Sequence, residues 1–328
     1  MLNLFCECEV GLTFIVNNIS AAKPRRKGGV LFFNVFLYNV CYTFVMKNKI
    51  VTIAAIQSAV SSDLKVNLKK TVYLVERAAK SGAQIICLQE LYRNIYFPQY
   101  KKINKDYYAE TIPGESTYTF SALAKKYGVV IIVPVFEKRK GKYFNSAVVI
   151  NHKGKLMPMY DKVHIPQDPL FYEKNYFESG KSGYKIYKTK FGKIAVLICF
   201  DQWFPEAARA VTLLGAEIIF YPTAIGDIIG DKSFEGDWHN AWETVMRGHA
   251  IANNVNVVAV NRVGREDRLK FWGQSFITDS FGKVLKRSSS FKDEILIVPI
   301  DLSLNKKIRN AWGFFRNRRP ETYTTVSK

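Results

Sequence analysis

Two positions put a reactive side chain where a buried run of the chain ends. Cys199 follows Ile194-Ala195-Val196-Leu197-Ile198, five apolar residues that read as a strand covered on both faces. Pro205 suits the first turn of a helix, Glu206 suits its positive end, and Ala207, Ala208 and Arg209 propagate it. Cys199 is therefore expected on the short bend between strand and helix, where α/β folds place chemistry. A thiol there can attack a carbonyl carbon as its thiolate. The apolar strand behind it raises its pKa, and a nearby cation or helix N-terminus lowers it. Glu90 follows a second buried run, Gln84 to Leu88, at the equivalent end. Each residue alone also fits a plain structural role: Cys199 as a small buried hydrophobe, Glu90 as an N-cap or surface ion pair.

The elements that must hold these groups follow from periodicity. Ile50 to Gln57 reads as a first strand, and Ser61-Ser62-Asp63 caps a helix with Leu64, Leu68, Val72, Val75 and Ala79 at helical spacing, ending at Ser81-Gly82. A helix over 116–127, strands over 129–136 and 143–150, and a turn at Lys153-Gly154 come next. Beyond Cys199 the pattern predicts a strand at Glu217–Tyr221, a long helix at Asp237–Asn253 and a strand at Val255–Val260. Phe271–Thr278, Gly282–Arg287 and Ile295–Ile300 read as antiparallel-type strands, with turns at Ser280-Phe281-Gly282 and Lys292-Asp293. This alternation gives an α/β class with mixed sheets covered by helices. No Pro/Gly/Ser-rich linker interrupts it, so 46–300 is expected to be a single domain.

The 328 residues are 48% apolar, enough for a sizeable core. Forty-eight basic against 28 acidic residues give +20, which would suit a polyanionic partner if the charge were concentrated on one face. It is scattered. The dense run lies in the C-terminal tail, 301–328, where Lys306, Lys307, Arg309, Arg316, Arg318 and Arg319 interleave with Trp312, Phe314 and Phe315. A phosphate-binding arm and a tail packed on the body or on a second subunit both fit that composition; neither nucleic acid nor membrane is expected as a partner. Five cysteines, Cys6, Cys8, Cys41, Cys87 and Cys199, have no zinc spacing, and an odd, sparse set argues for a reducing, cytoplasmic setting. No Gly-rich dinucleotide fingerprint, P-loop or paired-histidine motif occurs, so neither cofactor nor metal is implied. Residues 1–45 differ from the rest: Lys23-Pro24-Arg25-Arg26-Lys27 precedes an apolar run, Val30 to Val45, broken by Asn34 and Asn39. The run is shorter than the ~20 residues of a spanning helix. The segment reads as an upstream extension outside the core, with an anchor or transit segment as the alternative.

Three segments gain meaning together. Gln89-Glu90-Leu91-Tyr92, Tyr160-Asp161-Lys162-Val163-His164-Ile165-Pro166 and Ile198-Cys199-Phe200-Asp201-Gln202-Trp203-Phe204-Pro205-Glu206 resemble, in order and spacing, the Glu, Lys and Cys motifs of the nitrilase or carbon–nitrogen hydrolase superfamily. The resemblance covers roughly Lys47 to Tyr323 and is strongest to the N-carbamoylputrescine amidohydrolases. It is carried further by His164 to Phe177, Tyr221 to Gly226, Gly248 to Asn253 and Asn261-Arg262-Val263-Gly264-Arg265-Glu266. Asp161, Gln167 and Asn175 depart from the pattern, where a basic residue, an acid and an aromatic would be expected.

The resemblance implies a four-layer α-β-β-α sandwich, nitrilase-like, paired into dimers or larger homo-oligomers, and a thiol amidohydrolase acting on a small ureido or amide substrate in putrescine synthesis. Cys199 would be the nucleophile, Glu90 the proton shuttle and Lys162 the cation that lowers the thiol pKa and faces the oxyanion. Glu173 would orient Lys162 and the substrate nitrogen. Substrate-binding expectations fall on Phe200, whose backbone N–H would be the second oxyanion donor, on Asp201 and Trp203 as the wall beside the nucleophile, on Asp168 in an acidic mouth for a cationic amine, and on His164. The last reads as a loop-stabilising hydrogen-bond residue in preference to a proton shuttle, and His249 as packed on its helix. Losing one oxyanion donor typically costs ~3–4 kcal/mol. Amine-ended substrates want Asp or Glu in the pocket and carboxylate-ended ones an Arg, so another linear ureido compound or ω-amide is the alternative substrate. A basic polyanion-binding protein with a non-catalytic cleft is the alternative of another class.

Overall fold

Each central strand of one sheet divides its side chains between two apolar clusters. The computed structural model describes residues 7–8, 12–13, 25–27, 30–32, 49–231 and 234–327. In β1 (Ile50–Gln57), Val51, Ile53 and Ala55 join one cluster and Ala54 and Ile56 the other, because successive strand side chains point to opposite faces. The split repeats in β2 (Ile85–Leu88), β3 (Val130–Arg139) and β4 (Lys142–Ile150): Ile85, Cys87, Val130, Ile132, Ala147 and Val149 go one way, Ile86, Leu88, Ile131, Val133, Val148 and Ile150 the other. The second set meets helices α1 (Leu64–Lys80) and α2 (Glu115–Tyr127) through Leu68, Leu74, Phe120 and Leu123. Asp63 caps α1, its carboxylate accepting the N–H groups of Lys65 at 2.8 Å and Val66 at 3.1 Å.

The first set faces a second sheet. The chain continues through β5 (Tyr160–Asp161), β6 (Tyr187–Lys188), β7 (Lys193–Val196), α3 (Pro205–Leu213), β8 (Ile218–Pro222), β9 (Gly226–Ile228), α4 (Trp238–Asn253) and β10 (Asn256–Val260). It ends with β11 (Val263–Glu266), β12 (Leu269–Trp272), β13 (Phe276–Thr278), β14 (Val284–Arg287), β15 (Glu294–Asp301) and α5 (Ser303–Trp312). One six-stranded sheet has the order β15-β1-β2-β3-β4-β5, the other β6-β7-β8-β10-β13-β14. Both have three parallel strands at the centre and antiparallel strands outside: β1, β2 and β3 in one, β7, β8 and β10 in the other. Ala207, Ala208 and Val211 of α3 and Trp242, Met246 and Ala250 of α4 cover the far side of the second sheet. The result is an α-β-β-α sandwich.

Strand β12 to β13 departs from the expectation of one strand over Phe271–Thr278. The backbone turns left-handed at Gly273 (φ 62°) and Gln274 (φ 51°), and the two halves enter different sheets, β12 pairing with β9 and β11 while β13 pairs with β10 and β14. A Cβ at Gly273 would lie 2.8 Å from the carbonyl oxygen of Ser289, so the turn needs glycine. Helix α5 lies on the body: the Asn305 amide donates to the carbonyl of Glu217 at 2.8 Å, and the guanidinium groups of Arg209 and Arg309 sit 4.8 and 4.6 Å from the Phe315 ring centre.

Contacts divide the chain into Met1–Lys47 and Asn48–Lys328. In the first unit Glu7–Cys8 pairs with Leu12–Thr13 and Arg25–Lys27 with Val30–Phe32, both antiparallel. The apolar run expected over Val30–Val45 lies, beyond Phe32, outside the described residues. Among the described residues no helix is long and apolar enough to cross a membrane.

Candidate active site

Strand β2 runs parallel to β1 and β3, and β7 runs parallel to β8; both end at the same rim of the sandwich, which brings together what the chain separates. Glu90 follows β2, and Cys199 follows β7 on a turn of 3-10 helix, Cys199–Trp203, that precedes α3. Lys162 enters from the chain after β5. Its N–H donates to the carbonyl of Asn145 at 2.9 Å and its own carbonyl accepts from Gly180 at 2.8 Å. That approach is so close that a Cβ on Gly180 would fall 2.2 Å from the carbonyl oxygen of Asp161.

The Lys162 ammonium lies between two carboxylates, 2.9 Å from Oε1 of Glu90 and 2.6 Å from Oε2 of Glu173, and the three side chains are 0%, 0% and 1% exposed. With water excluded, their mutual electrostatics are weakly screened. Burial alone would lower the Lys162 pKa, but the charges of Glu173 and Glu90 outweigh it and hold the ammonium protonated, above the ordinary lysine value. Burial pushes Glu173 up to about 7 against the pull of Lys162, with Glu90 adding to the rise. Near neutrality Glu173 thus carries a proton for part of the time. Asn145 Nδ2 donates to Glu90 Oε1 at 2.7 Å, and the Tyr96 hydroxyl donates to Glu173 Oε1 at 2.7 Å. The second Glu90 oxygen, Oε2, is buried and has no hydrogen-bond partner among the described residues.

Cys199 is 7% exposed and sits at φ +42°, a left-handed conformation that costs a non-glycine residue energy. Its Sγ lies 3.9 Å from the carbonyl oxygen of Ala224 and feels the charges of Glu90, Lys162 and Glu173. Burial raises the thiol pKa well above its ordinary value, Glu90 adds to the rise, and Lys162 opposes it without prevailing. The expectation that Lys162 lowers the thiol pKa therefore holds only as one contribution. At rest the sulfur carries its proton, and a base must take it as the sulfur attacks.

Of this cluster Cys199 and Glu173 line a cavity of about 600 Å³, with Phe200 and Trp203 and, toward the mouth, Asp168 and Trp238; Glu90 and Lys162 lie behind that lining. Asp231, Phe234 and Glu235 extend that mouth. Asp168, Asp231, Glu235 and Glu173 are acidic, and no lysine or arginine is among the described lining residues.

Asp201 and His164 do not line the cavity, contrary to expectation. Asp201 is fully buried: Oδ2 accepts from the Ile198 N–H at 2.9 Å and the Tyr160 hydroxyl at 2.7 Å, and Oδ1 from the His164 N–H at 3.0 Å, with His164 Nδ1 at 2.7 Å. One carboxylate thereby ties the segment carrying Lys162 to the turn carrying Cys199. His164 also stacks on Phe204, ring centres 3.6 Å apart. His249 is buried against the second sheet, its Nε2 2.8 Å from the carbonyl of Gln202. Sequence reasoning did not single out Tyr96, Asn145 or Trp238, each in a loop, at a strand position or at a helix start with no local pattern to mark it, and Ala224 stood out only within the Tyr221–Gly226 segment, with no role.

The carbon-nitrogen hydrolase family description matches residues 52–310. An N-carbamoylputrescine amidase of Solanum lycopersicum is 41% identical over 289 residues, 85% of this chain and 96% of that protein. A citrullinase of Francisella tularensis is 38% identical over 283 residues, 84% of this chain and 98% of its own length. Among solved structures, a carbon-nitrogen hydrolase from Helicobacter pylori G27 matches with a TM-score of 0.81 and 41% identity, covering 85% of this chain and 99% of that one.

Proposed function

We propose, from the premise that this chain belongs to the carbon–nitrogen hydrolase family, that it hydrolyses N-carbamoylputrescine to putrescine, CO2 and ammonia through a covalent intermediate on Cys199. The observation that carries the reading is the Glu90 carboxylate: Oε1 bound by Lys162 and Asn145, Oε2 buried without a partner among the described residues, beside a sulfur whose pKa burial raises. Glu90 takes the Cys199 proton as Sγ bonds to the ureido carbon. The developing oxyanion faces the Lys162 ammonium and the Phe200 N–H, which together replace water as its partners. Glu90 returns the proton to the leaving nitrogen, and ammonia departs. The alkylcarbamoyl thioester that remains is attacked by a water that Glu90 deprotonates, which frees the thiol and a carbamate that decomposes to amine and CO2. Glu173 holds Lys162 in line and balances its charge.

The substrate assignment draws on the relatives' names and on the acidic mouth. Asp168, Asp231 and Glu235 favour a cationic end group over a carboxylate, and Trp203, Trp238 and Phe234 offer ring faces to an ammonium. A second reading, a ureido amino acid such as citrulline, is favoured by a neighbouring hollow where Arg268 joins Asp231; it could take the carboxylate of a zwitterion. Turnover of N-carbamoylputrescine, citrulline and N-carbamoyl-β-alanine, followed as ammonia release, separates them. We expect kcat/KM at least ~10-fold higher for the amine. A preference for either acid overturns the polyamine assignment and keeps the chemistry.

A further inference from the structure

A buried guanidinium outside the reacting groups binds the turn that carries Glu90. Arg262 is 0% exposed, at the end of β10, and one of its nitrogens donates to three carbonyls: Glu90 at 3.0 Å, Leu91 at 2.9 Å and Asn94 at 3.1 Å. Leu91 is left-handed, φ +49°, so the chain reverses sharply just after Glu90. Carbonyls gathered in such a turn and cut off from water need a strong donor, and a charged one is the strongest available. The other terminal nitrogen pairs with Oε1 of Glu266 at 2.6 Å, along β11. Oε2 of Glu266 accepts the Tyr96 N–H at 2.6 Å, and the Tyr96 ring, 5.9 Å from the guanidinium carbon, carries the hydroxyl that bonds Glu173. The Phe271 ring, 5.1 Å away, closes another side.

We propose that the Arg262–Glu266 pair is a positioning unit for the reaction: through the Glu90–Asn94 turn and through Tyr96 it sets both carboxylates that face Lys162. This rests on the proposed roles of Glu90 and Glu173. The neighbouring Asn261 does the corresponding work for the opposite wall, its Oδ1 and Nδ2 each 3.0 Å from the backbone N and O of Ile225, next to the Ala224 carbonyl that faces Cys199. Two adjacent residues at one strand end thus fix the base side and the thiol side.

Neither member of the pair lines the cavity and only Tyr96, of the groups they hold, does, so they should affect the rate far more than binding. Arg262→Lys keeps the charge and loses the fork; we expect kcat to fall ~10²-fold with KM changed less than about threefold, and alkylation of Cys199 by iodoacetamide to slow ~10-fold at neutral pH, in a protein that still melts cooperatively. Glu266→Gln keeps the volume and a hydrogen bond and should give a smaller fall of kcat, ~10-fold, with the same unchanged KM. Glu90→Gln run alongside separates the two levels: if it leaves the alkylation rate unchanged, the assignment of Glu90 as base has failed. If Glu90→Gln slows alkylation while a folded Arg262→Lys, or Glu266→Gln where Arg262→Lys does not fold, keeps kcat within twofold of the parent, the pair is only structural and the proposal is overturned.

Discussion

The floor and the mouth of the cavity are built on opposite terms. At the floor Glu173 and Cys199, and just behind it Glu90 and Lys162, are buried, carried at the rim of the paired sheets, and fixed by neighbours that are themselves buried, Tyr96, Asn145, Asp201 and Arg262. At the mouth Asp168, Asp231 and Glu235 are exposed, and Phe234 is 96% exposed. Charges without water are expensive to hold and strong once held, whereas exposed ones are screened and adaptable. On the proposed function the difference teaches a division of labour: reactivity is assigned to the buried part, and selectivity among substrates to the exposed part.

Changes at the floor should be the most damaging. Cys199→Ala should abolish ammonia release, and Glu90→Gln should lower kcat by ~10²–10⁴-fold with the fold retained, measured by steady-state kinetics beside thermal melts. Lys162→Met should remove activity and also cost about 3–5 kcal/mol of stability in denaturant unfolding, because two buried carboxylates lose their common partner. A Lys162→Met protein as stable as the parent would break the contrast drawn between floor and mouth.

The titration of Glu173 gives an intermediate effect. Glu173 titrates near 7 in the fold, above its ordinary 4.5. A raised carboxyl pKa means the folded chain binds the proton more tightly, so this contribution to stability is full below ~4.5 and is lost as pH rises through about 7. Glu173→Gln should remove that slope, which for one proton is at most about 1.4 kcal/mol per pH unit, as read from unfolding midpoints across pH 4 to 8. It should also lower kcat, since Lys162 loses a charged partner.

The mouth should answer most gently. Asp168→Asn or Asp231→Asn should raise KM for an amine-ended ureido substrate by ~3–10-fold, with kcat changed less than about twofold, and the rise should shrink as salt screens the parent's charges. A large loss of kcat from either would place chemistry at the mouth.

Much of the floor was legible in the chain. Apolar runs ending at Gln89-Glu90 and at Cys199 marked strand ends, and the motif order added Lys162 and Glu173. What failed was local pattern where function depends on distant partners. Arg262 bonds the Glu90 carbonyl across 172 residues; its segment stood out as part of the family pattern, but nothing in the hairpin's own sequence says which carbonyls it meets. Asp201 looked like a wall residue from its place beside the nucleophile, but its partners Tyr160 and His164 turn it inward. The small β9-β12-β11 sheet was missed because its strands are short and break at left-handed Gly273 and Gln274, where a continuous apolar run suggests one strand.

The central claim is that a thiol protonated at rest becomes the nucleophile inside this buried charge cluster. Rapid quenching of the enzyme with N-carbamoylputrescine, followed by mass analysis of its peptides, tests it directly. The account predicts an alkylcarbamoyl adduct on the Cys199 peptide that forms and decays with turnover. Turnover with no adduct at Cys199, continuing in Cys199→Ala, would contradict it.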